Sequence, residues 1–223
     1  ETFQTPEAVL VYSQKGLNGL SQTFHDLYGK RLVRGYWRDR PRPLLVNNWE
    51  ATYFNFNEEK ILEIAKEAKK LDLELFVLDD GWFGHRDDDT SSLGDWYPDL
   101  NKLPHGIAHL SKQIESLGLK FGLWIEPEMV NVDSDLYQAH PNWRLSTPNR
   151  HASHGRHQYV LDFANPKVVD YIYGLLEKIL KESKISYIKW DMNRYMSEVY
   201  STAFSAKQQG EIMHRYILGI YDL

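Results

Sequence analysis

Residues 44–51 read LLVNNWEA, and the choice of fold turns on this run. Segment 44–49 has the apolar, extended character of a strand. Asn57-Glu58-Glu59 then opens a helix, with Ile61, Ile64, Ala65, Ala68 and Leu71 following at helical spacing. The alternation repeats along the chain. Strands are predicted at 73–79 (LELFVLD), 120–126 (KFGLWIE), 157–162 (HQYVLD) and 185–191 (ISYIKWD). Helices are predicted at 105–117 with Gly118 as the C-cap, from Asn165-Pro166 through about 181, and over roughly 206–220. Short apolar strands separated by helices belong to a parallel sheet covered on both faces. Two architectures fit, a doubly wound sheet and a (β/α)₈ barrel. A dinucleotide-type doubly wound fold carries a Gly-rich turn after its first strand. The turn Asn47-Asn48-Trp49-Glu50-Ala51 has no Gly. The predicted fold class is therefore α/β, a partial (β/α)₈ TIM barrel.

The barrel is expected to be incomplete. The five predicted strand starts lie about 35 residues apart, so eight units would need about 280 residues from Leu44, where about 180 are present. About five of eight βα units are expected, over 41–223. Residues 1–40 read differently. They hold Gly16, Gly19, Gly29 and Gly35 and lead into Trp37-Arg38-Asp39-Arg40-Pro41-Arg42-Pro43. X-Pro pairs favour extended backbone, which suggests a short linker or the tail of another module.

Composition narrows the partners. The chain has 223 residues, 42 % hydrophobic and 26 % charged, which argues against disorder. A net charge of −5 leaves no positive excess to grip a phosphate backbone, so nucleic acid is not expected. The first residues lack a signal-peptide pattern, and no apolar run reaches membrane-span length, so no membrane is expected. Cysteine is absent, which removes thiolate chemistry and fits a cytoplasmic setting. No cofactor or metal is expected. The triple His151, His154 and His157 has the looser i, i+3, i+6 spacing of a polar loop rather than a rigid ligand frame. The run Arg86-Asp87-Asp88-Asp89 lacks the Gly and downstream Glu of a calcium loop and reads as a solvated turn.

The polar residues gather at the carboxyl ends of the predicted strands: Trp49-Glu50, Asp79-Asp80-Gly81-Trp82, Trp124-Ile125-Glu126-Pro127-Glu128, Asp162, and Lys189-Trp190-Asp191-Met192-Asn193. In barrel enzymes this is the face that carries the active site. Five strand ends bear acids, and four also have a nearby Trp. Glycoside hydrolysis suits such a set: two carboxylates for the chemistry, further polar groups for sugar hydroxyls, and aromatic walls for the C–H face of a sugar. Each residue also has a plainer reading. Asp79 and Asp80 are also suited to capping the following loop. Trp124, alternating with Phe121, also fits ordinary core. Lys189 shares a strand face with Asp191, and its plainer role is an ion pair with that residue. A different chemistry, a Schiff-base lyase or aldolase barrel, would use Lys189 as its amine. A third possibility is a catalytically inactive sugar-binding fragment.

The words NNWEA (47–51), LDDGWF (78–83), GDWYPDLNKLPHGI (94–107), FGLWIEPEM (121–129), HQYVLDFANP (157–166) and IKWDMNR (188–194) together resemble the bacterial α-galactosidases, or melibiases, of glycoside hydrolase family 36. The resemblance runs from about Arg34 onward, with several long words in one order. It implies a (β/α)₈ catalytic barrel behind an N-terminal β-rich domain, and retaining hydrolysis of terminal α-galactosides such as melibiose and raffinose. It also implies a homo-oligomeric full-length enzyme whose partner is a small-molecule α-galactoside. Carried over by position, Asp191 resembles the nucleophile, and Asp79 and Asp80 the pair that holds the outer galactose hydroxyls. Trp49 and Trp124 resemble walls of the pocket. Lys189, Asn193 and Arg156 resemble sugar-contacting positions. The family's acid/base lies on a later strand, so it is expected beyond Leu223. The residues themselves agree on the location but do not select Asp191 over Asp79, Asp80, Glu126 or Asp162. A cation one pleat away on Lys189 is expected to keep Asp191 ionised.

Overall fold

The computed structural model describes residues 7–153 and 155–223, so His154 lies outside the described residues. The chain divides between Pro43 and Leu44 into two compact units. The first unit contains helix α1 (Gly16–Leu27), none of whose residues is buried. Leu17, Leu20, Phe24 and Leu27 recur at helical spacing there. The two glycines in and beside that pattern hid it, because Gly weakens a helix without forbidding it.

The second unit is built on a parallel sheet. Strand β1 (Leu45–Asn47) is followed by the one-turn helix α2 (Trp49–Thr52) and by helix α3 (Glu58–Lys70). Asn57 caps α3, its side chain accepting from the Lys60 N–H at 2.9 Å, and the buried stripe Ile61, Ala65 and Ala68 faces the core. Strand β2 (Leu75–Leu78) is buried at all four residues. Helix α4 (Gly106–Ser116) buries Ile107, Leu110 and Ile114 and ends before Gly118, whose φ is +81°. Strand β3 (Lys120–Ile125) pairs in parallel with β2. Gly122 on β3 is needed for a close approach: a Cβ there would lie 3.0 Å from Val77 and 3.1 Å from Tyr187.

Beyond β3 the chain leaves the sheet. Strand β4 (Met129–Asn131), helix α5 (Asp135–Ala139) and strand β5 (Gln158–Val160) come next. Helix α6 (Pro166–Glu182) is capped by Asn165, with Pro166 at its first position. Strand β6 (Tyr187–Trp190) then pairs in parallel with β3, setting Lys189 opposite Trp124. A 3₁₀ segment leads into helix α7 (Ile212–Asp222).

The four-stranded order is β1-β2-β3-β6, the arc of a partial α/β barrel with helices between its strands. One expected member is missing from this arc. Segment 157–162 contributes only β5, which lies in an antiparallel ribbon with β4, so β3 and β6 are direct neighbours. Four parallel strands, rather than five, therefore make up the sheet. Apolar alternation marks an extended segment but not its partner. The ribbon satisfies the backbone of β5 locally, through β4, the Leu145 N–H and the buried Arg194 guanidinium. Among the described residues no helix is long and apolar enough to cross a membrane.

Candidate active site

The carboxyl ends of β1, β2, β3 and β6 bring together Asn48, Asp79, Asp80, Glu126 and Asp191. Asn48 is fully buried, and its Oδ1 accepts from the Asp79 N–H at 2.8 Å. That bond ties the end of β1 to the end of β2. Asp79 Oδ1 accepts from the Asp80 N–H, and its Oδ2 faces Lys189 Nζ at 2.8 Å. Lys189 therefore reaches across β3 to an acid on β2. The plainer alternative weighed for Lys189, an ion pair with Asp191, is not what forms. The side chain of Lys189 is 36 % exposed, against 3 % for Asp79, so the ammonium still meets solvent.

Asp80 is held differently. Arg86 lays its guanidinium along the carboxylate, Nε to Oδ1 at 2.5 Å and Nη2 to Oδ2 at 2.8 Å. Both side chains are almost fully buried. Arg86 also donates to the Ser91 carbonyl at 2.6 Å. This corrects the solvated-turn reading of Arg86: the three exposed-looking acids that follow it masked a buried fork. Burial pushes the Asp80 carboxyl up from its usual range, and the bonds from Arg86 oppose that rise. Gly81, at φ +98°, lets the chain turn directly after this pair.

Asp191 sits at the end of β6 and is half-buried. Its Oδ2 accepts from Trp124 Nε1 and from Asn193 Nδ2, each at 3.0 Å, and its Oδ1 accepts from the Met192 N–H at 3.0 Å. Burial alone would raise this carboxyl. Trp124, Asn193 and the Met192 N–H outweigh it, with a smaller share from the charge of Lys189, and the net result is a lowered pKa. The carboxylate is kept ionised mainly by neutral donors rather than by the neighbouring cation.

The ring of Trp124 fits the ordinary-core reading, with a hydrogen bond to the strand-end acid added to it. Its ring is buried, stacked on Phe83 and beside Trp96, while its indole N–H reaches Asp191. Trp82 Nε1 donates to the Trp124 carbonyl at 2.9 Å and fixes the strand end beneath it. Trp49 is half-buried at the start of α2, with Tyr53 and Phe54 packed edge-on against it. Arg156 is exposed, at φ +53°, and faces Asp89 at 3.6 Å.

Glu126, one of the strand-end acids weighed in the sequence, also belongs to this group. Glu126 is fully buried, and its Oε1 accepts from the Asn193 N–H at 2.6 Å. Burial, together with the charge of Asp191, raises its carboxyl. Two groups near these strand ends, Asn48 and Arg194, were not singled out in the sequence; Arg194 donates to the carbonyls of Ser153 and Gln158 at 2.7 Å each. Of the acids expected on this face, Asp162 lies just after β5, outside the parallel sheet, hydrogen-bonded to Ser201.

Comparison with known proteins places this arrangement. The model of the family described as Melibiase matches residues 2–223. α-Galactosidase AgaA of Geobacillus stearothermophilus is 58 % identical over 221 residues, covering 99 % of this chain and 30 % of that protein. The α-galactosidase of Escherichia coli is 40 % identical, covering 100 % of this chain and 31 % of its own length. A crystal structure of AgaA superposes with a TM-score of 0.93 at 57 % identity, over 95 % of this chain and 30 % of that one. A substituted AgaA in complex with raffinose superposes at 0.92, with the same identity and coverage. The chain thus spans about 30 % of the length of the curated relatives it matches most closely among these.

Proposed function

This chain belongs to the Melibiase family, and from that premise we propose that the protein it comes from is a retaining α-galactosidase. Its substrates are terminal α-galactosides of the class bound by the relatives solved with raffinose and with stachyose. The observation that carries the reading is the state of Asp191: half-exposed at a strand end, held by three neutral donors, and shifted toward the ionised form. A nucleophilic carboxylate must be charged, aimed and reachable. Of the acids gathered here, Asp79, Asp80 and Glu126 are buried, whereas Asp191 is not.

In this mechanism Asp191 attacks the anomeric carbon and forms a galactosyl-enzyme ester as the aglycone oxygen departs. Water then cleaves the ester, and the configuration is retained. Trp124 and Asn193 position the carboxylate. Asp79, aligned by Asn48, and Asp80, aligned by Arg86, take the outer sugar hydroxyls. Each carboxylate oxygen retains a second lone pair for that purpose. Lys189 and Asn193 contact hydroxyls beside the nucleophile, Trp49 walls the pocket, and Arg156 contributes from the loop before β5. The proton donor is supplied from outside these 223 residues. Glu126, a raised carboxyl in contact with this group, is fully enclosed and poorly placed to meet a leaving oxygen, and the raised carboxyl of Asp80 is clamped along both oxygens by Arg86. A Schiff-base role for Lys189 needs a free amine lone pair, and the ion pair with Asp79 occupies that nitrogen.

The test is raffinose hydrolysis by the intact protein and by its Asp191→Asn variant, followed by NMR of the anomeric product. Release of α-galactose that vanishes in the variant supports the reading; β-galactose as first product, or retained activity in the variant, refutes it. Full-rate raffinose hydrolysis by the isolated 223-residue chain would refute the external proton donor.

A further inference from the structure

Helices α3 and α4 start side by side, and three side chains converge between their first turns. Glu58 is the first residue of α3, His105 is the N-cap of α4, and His109 lies one turn further along α4. His105 Nδ1 is 3.1 Å from Glu58 Oε1, and His109 Nε2 is 3.5 Å from the same oxygen. All three ligand atoms fall within 4.8 Å of one another. We propose that Glu58, His105 and His109 form a binding site for a divalent transition-metal ion of the Zn²⁺ class. The proposal is independent of the glycosidase reading.

The spacing is what carries it. A tetrahedral ion with N and O ligands at about 2.0–2.1 Å separates adjacent ligand atoms by about 3.3 Å. Two of the three separations here lie at 3.1 and 3.5 Å. Imidazole and carboxylate are a donor set suited to Zn²⁺, and histidines at i and i+4 share one helix face. The frame is firm. The Glu58 N–H donates to the Lys102 carbonyl at 2.9 Å, and the Asn57 cap holds the first turn of α3. Beneath the cluster, the buried residues of both helices anchor them to the sheet. Glu58 is only 13 % exposed, while His105 and His109 are open at 63 % and 41 %. An ion can therefore enter from solvent and keep water in its remaining position. The sequence drew attention to His151, His154 and His157 instead. The ligand that completes the cluster, Glu58, lies 47 residues from His105 and could not be paired with it from spacing alone.

A competing account is that the two histidines simply form proton-dependent ion pairs with Glu58. Titration of the intact protein, free of any polyhistidine tag, with ZnCl₂ in a non-chelating buffer at pH 7.5 separates the two. The expected result is one saturable site, weakened at least tenfold in His105→Ala and in His109→Gln. Co²⁺ in place of Zn²⁺ should give the visible absorption of a tetrahedral nitrogen-ligated ion, lost in the same variants. Circular dichroism of each variant checks that the helices remain. No saturable zinc binding, or binding unchanged in both folded variants, would overturn the proposal and leave the ion pairs alone.

Discussion

Two acids on the same face of the sheet, at the ends of strands on either side of β3, are treated in opposite ways. Asp80, just after β2, is buried and locked along both oxygens by the Arg86 guanidinium. Asp191, at the end of β6, is half-exposed and held by an indole, an amide and a backbone N–H. A buried carboxylate clamped by a full charge is rigid and costly to disturb. A partly solvated carboxylate held by neutral donors stays ionised yet remains open to a substrate. Residue type at a strand end thus marks both acids alike, while burial and the nature of the partners tell them apart.

The comparison can be broken at either end. The largest effect is expected at Asp191. Asp191→Asn in the intact protein should lower kcat by a factor on the order of 10³ or more while leaving thermal stability nearly unchanged. Arg86→Met should do the reverse and act first on stability. It strands the buried Asp80 carboxylate and should cost about 3–5 kcal/mol in urea unfolding, and a second substitution, Asp80→Leu, should recover much of that loss. Lys189→Met is intermediate. It removes a partly exposed ammonium but leaves Asp79 Oδ2 short of a partner, for a cost of about 1–3 kcal/mol, and KM for raffinose should rise more than kcat falls. The smallest and most specific change is Trp124→Phe, which deletes one hydrogen bond to Asp191. The Asp191 pKa is lowered, so its ionised form is lost as pH falls through that value. Removing the donor raises the pKa, and the acid limb of kcat/KM should move to higher pH with the alkaline limb unmoved.

The helices on α3, α4 and α6 were legible because their caps and stripes are local: Asn57, Gly118, Asn165 and Pro166 each act within one turn. The fate of segment 157–162 was not legible. The run HQYVLD fits either a barrel strand or a ribbon, and its antiparallel partner lies near residue 130. Helix α1 was obscured by glycines. At the site, the acids and tryptophans stood out through their positions after apolar runs. Their partners did not. Arg86 was hidden in a run of aspartates, Asn48 in a turn, and the bond from Lys189 to Asp79 spans 110 residues. Such pairings are products of the sheet order and have no local signature.

The assignment of Asp191 is the centre of this account, and covalent trapping tests it most directly. The intact protein is incubated with a fluorinated galactosyl fluoride, whose fluoride leaves without a proton and whose ring fluorine slows hydrolysis of the ester. Peptide mass spectrometry then locates the label. The account predicts one galactosyl adduct per chain on the peptide containing Asp191, absent in Asp191→Asn. A label on Asp79, Asp80 or Glu126, or turnover with no ester at all, would contradict it.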